Sequence, residues 1–227
     1  MMATRSLIPG KTYFAVIKQR TFGTGFFDDA CKDFYLRRLL NCQNAFQVQL
    51  HAYLLMKKDI FLIVTSLTPL GFDSFVRFLN ASYSRYYLIR FARGVLAWQN
   101  EPLVCRLPGD KLVLDCQKFV ERYVLNFGIE NHPGEYGYSS YCANAFTRSP
   151  CFLQRHRAVR QFINIEANGL QRYRDFVATP FCKEYERFLQ SRLLSGRALL
   201  QQKSSFKLEN NRALTEIEKS GTIATIA

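Results

Sequence analysis

No two of the seven cysteines, at positions 31, 42, 105, 116, 142, 151 and 182, are spaced as Cys-x-x-Cys, and their number is odd. A disulfide framework and a zinc ribbon both need paired or clustered thiols, so neither is expected, and free thiols point to a reducing cytosol. The stretch from Met1 to Gly10 holds one arginine and no long apolar run before Pro9, so a secretory signal peptide is not expected. Internal repeats and low-complexity segments are also missing. With 22% charged residues and a mean hydropathy of −0.13, neither a disordered chain nor a membrane span is expected. Acidic residues are the scarcest relative to their counterparts: 18 Asp and Glu stand against 31 Lys and Arg, a net charge of +13. A surplus of that size favours a polyanionic partner. An acidic metabolite does not need it, and a membrane surface normally adds a basic amphipathic helix or a lipidation signal. Nucleic acid is the expected partner.

What is present is enough chain, 227 residues with 48% hydrophobic and 15% aromatic, to bury one good core or a domain with an appendage. Residues 1–150 carry 18 Lys/Arg against 11 Asp/Glu, and residues 151–207 carry 11 against 4, so each stretch has +7. The shorter one is far denser in charge. Residues 208–227 carry −1 and end in Ser-Gly-Thr-Ile-Ala-Thr-Ile-Ala, which reads as a weakly structured tail. A strand is expected over Thr12–Ile17, rich in aromatic and β-branched residues. Asp28 and Asp29 then precede Cys31, Phe34, Tyr35, Leu39 and Cys42, whose spacing predicts an amphipathic helix over roughly 29–44. Strands over Gln47–Leu55 and Ile60–Ser66, joined by four residues, predict an antiparallel hairpin. A long helix from Phe72 to about Phe91, a short strand Leu103–Leu107 and a helix Lys111–Leu125 follow. This order predicts an α+β fold: a ferredoxin-like split βαβ antiparallel sheet with packed helices, plus a helical basic C-terminal extension. The expected divisions are a domain over 1–150, a basic extension over 151–207 and the tail.

At the hairpin the residues become specific. His51-Ala-Tyr-Leu-Leu-Met56-Lys-Lys-Asp59-Ile-Phe61-Leu-Ile-Val-Thr65 resembles the stretch that REP-associated tyrosine transposases write as H-A-Y-V-L-M-P-N-H-V-H-L-L-V-T. Arg5, Thr12-Tyr13-Phe14 and Arg20 look like that family's opening strand, and Phe26-Phe27-Asp28-Asp29 with Asp33, Phe34 and Leu40 look like its first helix. Phe75 to Tyr87, then Gly94 and Leu96-Ala-Trp98, resemble its central helix and Gly-x-Leu-Trp turn. Arg122-Tyr123-Val124 looks like its R-Y-I, Tyr136 to Tyr141 like its Y-P-W-S-S-Y, and Tyr173-Arg-Asp-Phe-Val177 like a C-terminal motif. The resemblance covers roughly residues 5–207.

The resemblance implies single-strand DNA cleavage and rejoining. Two histidines separated by one residue on a strand share a face and, with a polar ligand from a helix, hold Mg²⁺ or Mn²⁺. A tyrosine on that helix attacks the polarised phosphate and leaves a 5′-phosphotyrosine. Here the histidine positions are Asp59 and Phe61, and the asparagine expected four residues after the tyrosine is Phe127. Asp59 offers an oxygen to a hard cation, but phenylalanine has no lone pair. Asn126 lies one position early, about 100° round a helix. Tyr123 keeps the nucleophile position; without a metal it is a weak nucleophile, and the alternative is that it packs at a helix edge. His51 lies eight residues from Asp59, roughly 26 Å along a strand, and is expected to be structural.

Binding tolerates such losses better than catalysis, because each Lys or Arg that neutralises a phosphate contributes separately. Lys57 and Lys58 at the hairpin tip are expected to be exposed beside the former metal position. Arg85 and Arg93, with Arg77 and Arg90, punctuate the long helix among Tyr83, Tyr86 and Tyr87; the tyrosines are expected to face the sheet and the arginines solvent. Arg155, Arg157, Arg160, Arg172 and Arg174, with His156, Asn164 and Gln171, form the densest basic stretch. The expectation is therefore a cytoplasmic, transposase-like protein that recognises palindromic hairpin or partly single-stranded DNA, with impaired nicking. An active transposase using Asp59 and other oxygen ligands is the alternative.

Overall fold

The computed structural model describes residues 6–20, 24–94, 97–146, 153–165 and 167–197. Arg5, Leu96, Cys151 and the tail expected over 208–227 lie outside them. Four strands, β1 (Thr12–Lys18), β2 (Val48–Leu55), β3 (Asp59–Ser66) and β4 (Leu103–Arg106), form one sheet in the order β2-β3-β1-β4. Every neighbouring pair is antiparallel. With helices α1 (Asp29–Asn41) and α2 (Gly71–Phe91), the chain order is that of the expected split βαβ sheet. The expected boundaries hold to within a residue, except that α1 ends at Asn41 and a 3-10 turn occupies Asn44–Phe46.

The strands read as nearly continuous apolar runs because both faces of the sheet are covered. Tyr13, Ala15 and Ile17 point to one face, Phe14 and Val16 to the other. On the first face lie α1 and α2. Asp28 caps α1 by accepting from the Cys31 N–H at 3.0 Å, and Cys31, Tyr35 and Leu39 bury one stripe at four-residue spacing. Arg90 at the end of α2 grips both carboxylate oxygens of Asp28 at 2.7 Å, tying the two helices and holding that carboxyl down at about 2. Trp98 is buried among Phe26, Tyr35 and Tyr83 in this layer.

The second face carries α3 (Asp110–Asn126), α4 (Tyr141–Ala145), α5 (Arg157–Asn164), α6 (Gly169–Ala178) and α7 (Lys183–Leu194), so the molecule has helices on both sides of the sheet. The single extra helix foreseen before residue 126 is α3; the helices of the basic stretch join it in one core with Phe14, Phe61 and Ile63. Among the described residues no helix is long and apolar enough to cross a membrane, and the six described cysteines are free.

Candidate functional site

The β2–β3 turn is backed by Gly25, which lies in the segment before α1 and packs against the turn. Its φ of +59 is one that side chains rarely adopt, and a Cβ there would stand 2.1 Å from the Lys57 carbonyl. Lys57 and Lys58 are exposed at this tip, and the Lys58 carbonyl accepts from the Gln19 N–H at 2.8 Å. Asp59 opens β3 and pairs in register with Lys18. Burial raises the Asp59 carboxyl above its ordinary value, against the pull of Lys18 and Lys58.

Phe61 lies on the second face, and α3 brings Tyr123 against it with ring centroids 4.7 Å apart. Four residues on, Phe127 also stacks on Tyr123, at 4.5 Å and 30°. Phe119 meets Tyr123 edge-on at 5.7 Å, and Phe14 continues the cluster beneath Phe61. The residues singled out as Asp59, Phe61, Tyr123 and Phe127 thus do converge. They converge as an aromatic stack in which Tyr123 is half-buried and Phe127 is half-exposed. Burial raises the Tyr123 phenol, and the charge of Asp59 raises it further, so the phenolate is disfavoured.

A divalent metal does not fit these residues. Of the positions that would supply ligands, only Asp59 carries a donor, and among the described residues no group of three His, Cys, Asp or Glu side chains could hold an ion. Asn126 points elsewhere, donating to the Glu186 carboxylate on α7.

The basic residues divide by environment. Arg85 and Arg93 are exposed, whereas Arg77 and Arg90 are paired with Asp73 and Asp28. Tyr83 and Tyr87 are buried toward the sheet, and Tyr86 stacks on Phe34 at 4.1 Å. Arg155 donates to the Ala143 carbonyl at 3.1 Å, Arg174 to the Ala145 carbonyl at 2.9 Å, and the Arg172 guanidinium lies 4.5 Å from the Phe162 ring. These three arginines serve the packing of α4, α5 and α6. Arg157 and Arg160 are exposed on α5, with Arg157 paired to Asp110 at 3.2 Å. Asn164 and Gln171 are exposed, the latter donating to Asp175.

Sequence reasoning missed what surrounds His51. A β-bulge leaves His51 unpaired between Leu50, opposite Val64, and Ala52, opposite Ile63, so that His51 and Ala52 both lie on the second face. There the imidazole is buried, with Nδ1 at 2.7 Å from the Gln154 carbonyl and Nε2 at 2.9 Å from the Thr65 hydroxyl. Thr65 meets the Thr12 hydroxyl at 3.0 Å, and Thr12 meets Nε2 of His156 at 3.0 Å. His156 in turn caps α5, its Nδ1 accepting from the Ala158 N–H. Also missed was Glu121, fully buried in α3 and bonded to Tyr173, Ser140, Asn144 and Gln117. Two buried polar positions on the apolar side of α3, Gln117 and Glu121, were its only trace in the sequence.

No protein-family model matches the chain, and no curated protein does. Among solved structures, a REP-associated tyrosine transposase bound to a REP hairpin superimposes with a TM-score of 0.53 at 11% identity, over 69% of this chain and 98% of that one. At that identity the likeness is one of fold: the chain has the α+β architecture of that transposase, with an aromatic stack at its Tyr123.

Proposed function

We propose that this protein is a transposase-like DNA-binding protein that holds hairpin or partly single-stranded palindromic DNA and leaves its backbone uncut. The observation that carries the reading is the Phe61–Tyr123–Phe127 stack: rings occupy the ligand positions on a fold shared with a transposase that was solved on a DNA hairpin. A phosphate arriving beside Tyr123 meets a phenol that burial keeps protonated, and among the described residues no ligand set for a Lewis acid to activate it. It also meets Lys57 and Lys58, whose charge holds a phosphodiester without chemistry. Arg85, Arg93, Arg157 and Arg160 add exposed positive charge, and the stretch 151–207 acts in this reading as a basic extension of the unit formed by residues 1–150.

Two measurements test it. Fluorescence anisotropy with a palindromic hairpin should give binding whose log–log salt slope is about −4 to −5, the value for roughly five neutralised phosphates. Absent or salt-independent binding overturns the reading. Incubation of the same hairpin with the protein and Mg²⁺ or Mn²⁺ should leave no covalent adduct on a denaturing gel; an adduct that disappears in Tyr123→Phe would establish a nicking enzyme instead.

A further inference from the structure

The end of the sheet remote from Asp59 opens into a cleft of roughly 650 Å³, within the range of small-ligand sites. Thr65 in this cleft stands six positions along β3 from Asp59, roughly 20 Å of strand, so the cleft is distinct from the aromatic stack. Its rim carries Lys11, Arg106, Arg155, Arg157 and Arg160 against one acid, Asp110. Arg157 already pairs with Asp110, and Arg155 is turned to main-chain carbonyls. Lys11, Arg106 and Arg160 are exposed, and none of them forms an ion pair among the described residues. The first turns of α3 and α5 border the same opening and add their positive ends. The rim is built for an anion.

The floor has the opposite character. The Ala158 N–H makes Nδ1 of His156 an acceptor, so the proton of that ring sits on Nε2. The Gln154 carbonyl requires the proton of His51 on Nδ1, so its Nε2 accepts. The four groups therefore run in one direction: His156 donates to Thr12, Thr12 to Thr65, and Thr65 to His51. Each hydroxyl has used its only proton and retains a lone pair. Both threonines line the cleft. The floor accordingly welcomes a hydrogen-bond donor and repels a carbonyl or a phosphate oxygen. Leu107, Pro108 and Val113 also line the cleft and add apolar surface for a base.

We propose that this cleft holds one unpaired nucleotide, its phosphate on Lys11, Arg106 and Arg160 and an exocyclic amino group of its base donated to the Thr12 and Thr65 hydroxyls. Cytosine carries such a group; thymine of the same size does not, and its one ring donor is flanked by two carbonyls. The inference rests on the DNA-binding reading and deepens it by naming what the strand outside the hairpin does.

The test uses the full chain with three fluorescent probes: hexadeoxycytidylate, hexathymidylate and a blunt hairpin. Hexadeoxycytidylate should bind about tenfold more tightly than hexathymidylate. The triple variant Lys11→Ala, Arg106→Ala, Arg160→Ala should lose about tenfold on hexadeoxycytidylate and far less on the blunt hairpin. Thr65→Ser should keep the base preference, and Thr65→Val, with its fold checked by circular dichroism, should abolish it. Equal binding of the two hexamers, or a preference that survives in Thr65→Val, overturns the proposal. If the blunt hairpin is not bound at all, the broader DNA-binding reading fails; if it is bound while the hexamers are indistinguishable, only the nucleotide site fails.

Discussion

Replacing Glu121 by alanine should lower the stability of the protein by about 3–5 kcal/mol and its Tm by roughly 10 °C. The carboxylate is fully buried on α3. One oxygen accepts from Ser140 at 3.0 Å, Asn144 at 2.8 Å and Gln117 at 3.3 Å, and the other from Tyr173 at 2.7 Å. Ser140 also accepts from the Tyr53 N–H of β2, so this one group joins the sheet to α3, α4 and α6. Alanine would strand four donors in a dry layer, and each unsatisfied donor costs about 1–3 kcal/mol before the layer relaxes. Burial raises the Glu121 carboxyl above its ordinary value, and the hydrogen bonds from Asn144, Tyr173, Ser140 and Gln117 pull the other way. Glu121→Gln retains shape and acceptor oxygen and should lose less than half as much. Thermal melts of both variants decide the matter; an alanine variant within 1 kcal/mol of the parent, on the order of a single surface change, would refute the hub.

Acid should destabilise the protein well before its exposed carboxylates titrate. His51 and His156 are held neutral, each pulled down from 6.5 to about 4. Burial is the main cause at both; the Gln154 carbonyl opposes it at His51, while His156 and Arg160 disfavour a proton on His51 and Arg157 and Arg160 disfavour one on His156. Between pH 6.5 and 4 the unfolded chain binds protons at these positions and the native chain does not. Stability is then lost as pH falls, by up to about 1.4 kcal/mol per pH unit for each histidine. Glu121 acts in the opposite sense, since a raised native carboxyl gains protons before the unfolded one. Asp28, held at about 2, contributes only below its ordinary range. Urea titrations at intervals from pH 7 to 4.5 should show the decline. His156→Asn keeps an acceptor for the Ala158 N–H and removes one ring, so it should roughly halve the slope. A flat profile, or an unchanged slope in the variant, would exclude the paired relay as its source.

The strands and α1 to α3 were legible because their apolar periods are long and their breaks carry turn residues. The identity of the altered positions was legible too; that Phe127 covers Tyr123 was not, since the sequence placed Tyr123 only at a helix edge. The bulge at His51 was not. A one-residue offset inside an apolar run leaves no mark in composition, yet it puts His51 and Ala52 on the same face. Its partnership with His156 spans 105 positions and exists only once α5 docks on the sheet. The basic stretch was legible as composition but not in its contacts: of six groups in twenty residues, Arg155, Arg172 and Arg174 meet carbonyls and a ring, while Arg157 and Arg160 are exposed.

The chain has one tryptophan, and Trp98 sits entirely in the α1–α2 layer, ringed by Phe26, Tyr35 and Tyr83. Its emission should be blue-shifted and fed by energy transfer from those tyrosines, and it is blind to the opposite layer, where Glu121 and the histidine pair act. Fluorescence therefore follows one side of the sheet while helical ellipticity, to which α3 to α7 contribute, also follows the other. Coincident transitions by the two signals would mean that the sheet couples its layers into one cooperative unit; separated ones would mean that the basic helices can peel away while the first layer stays folded.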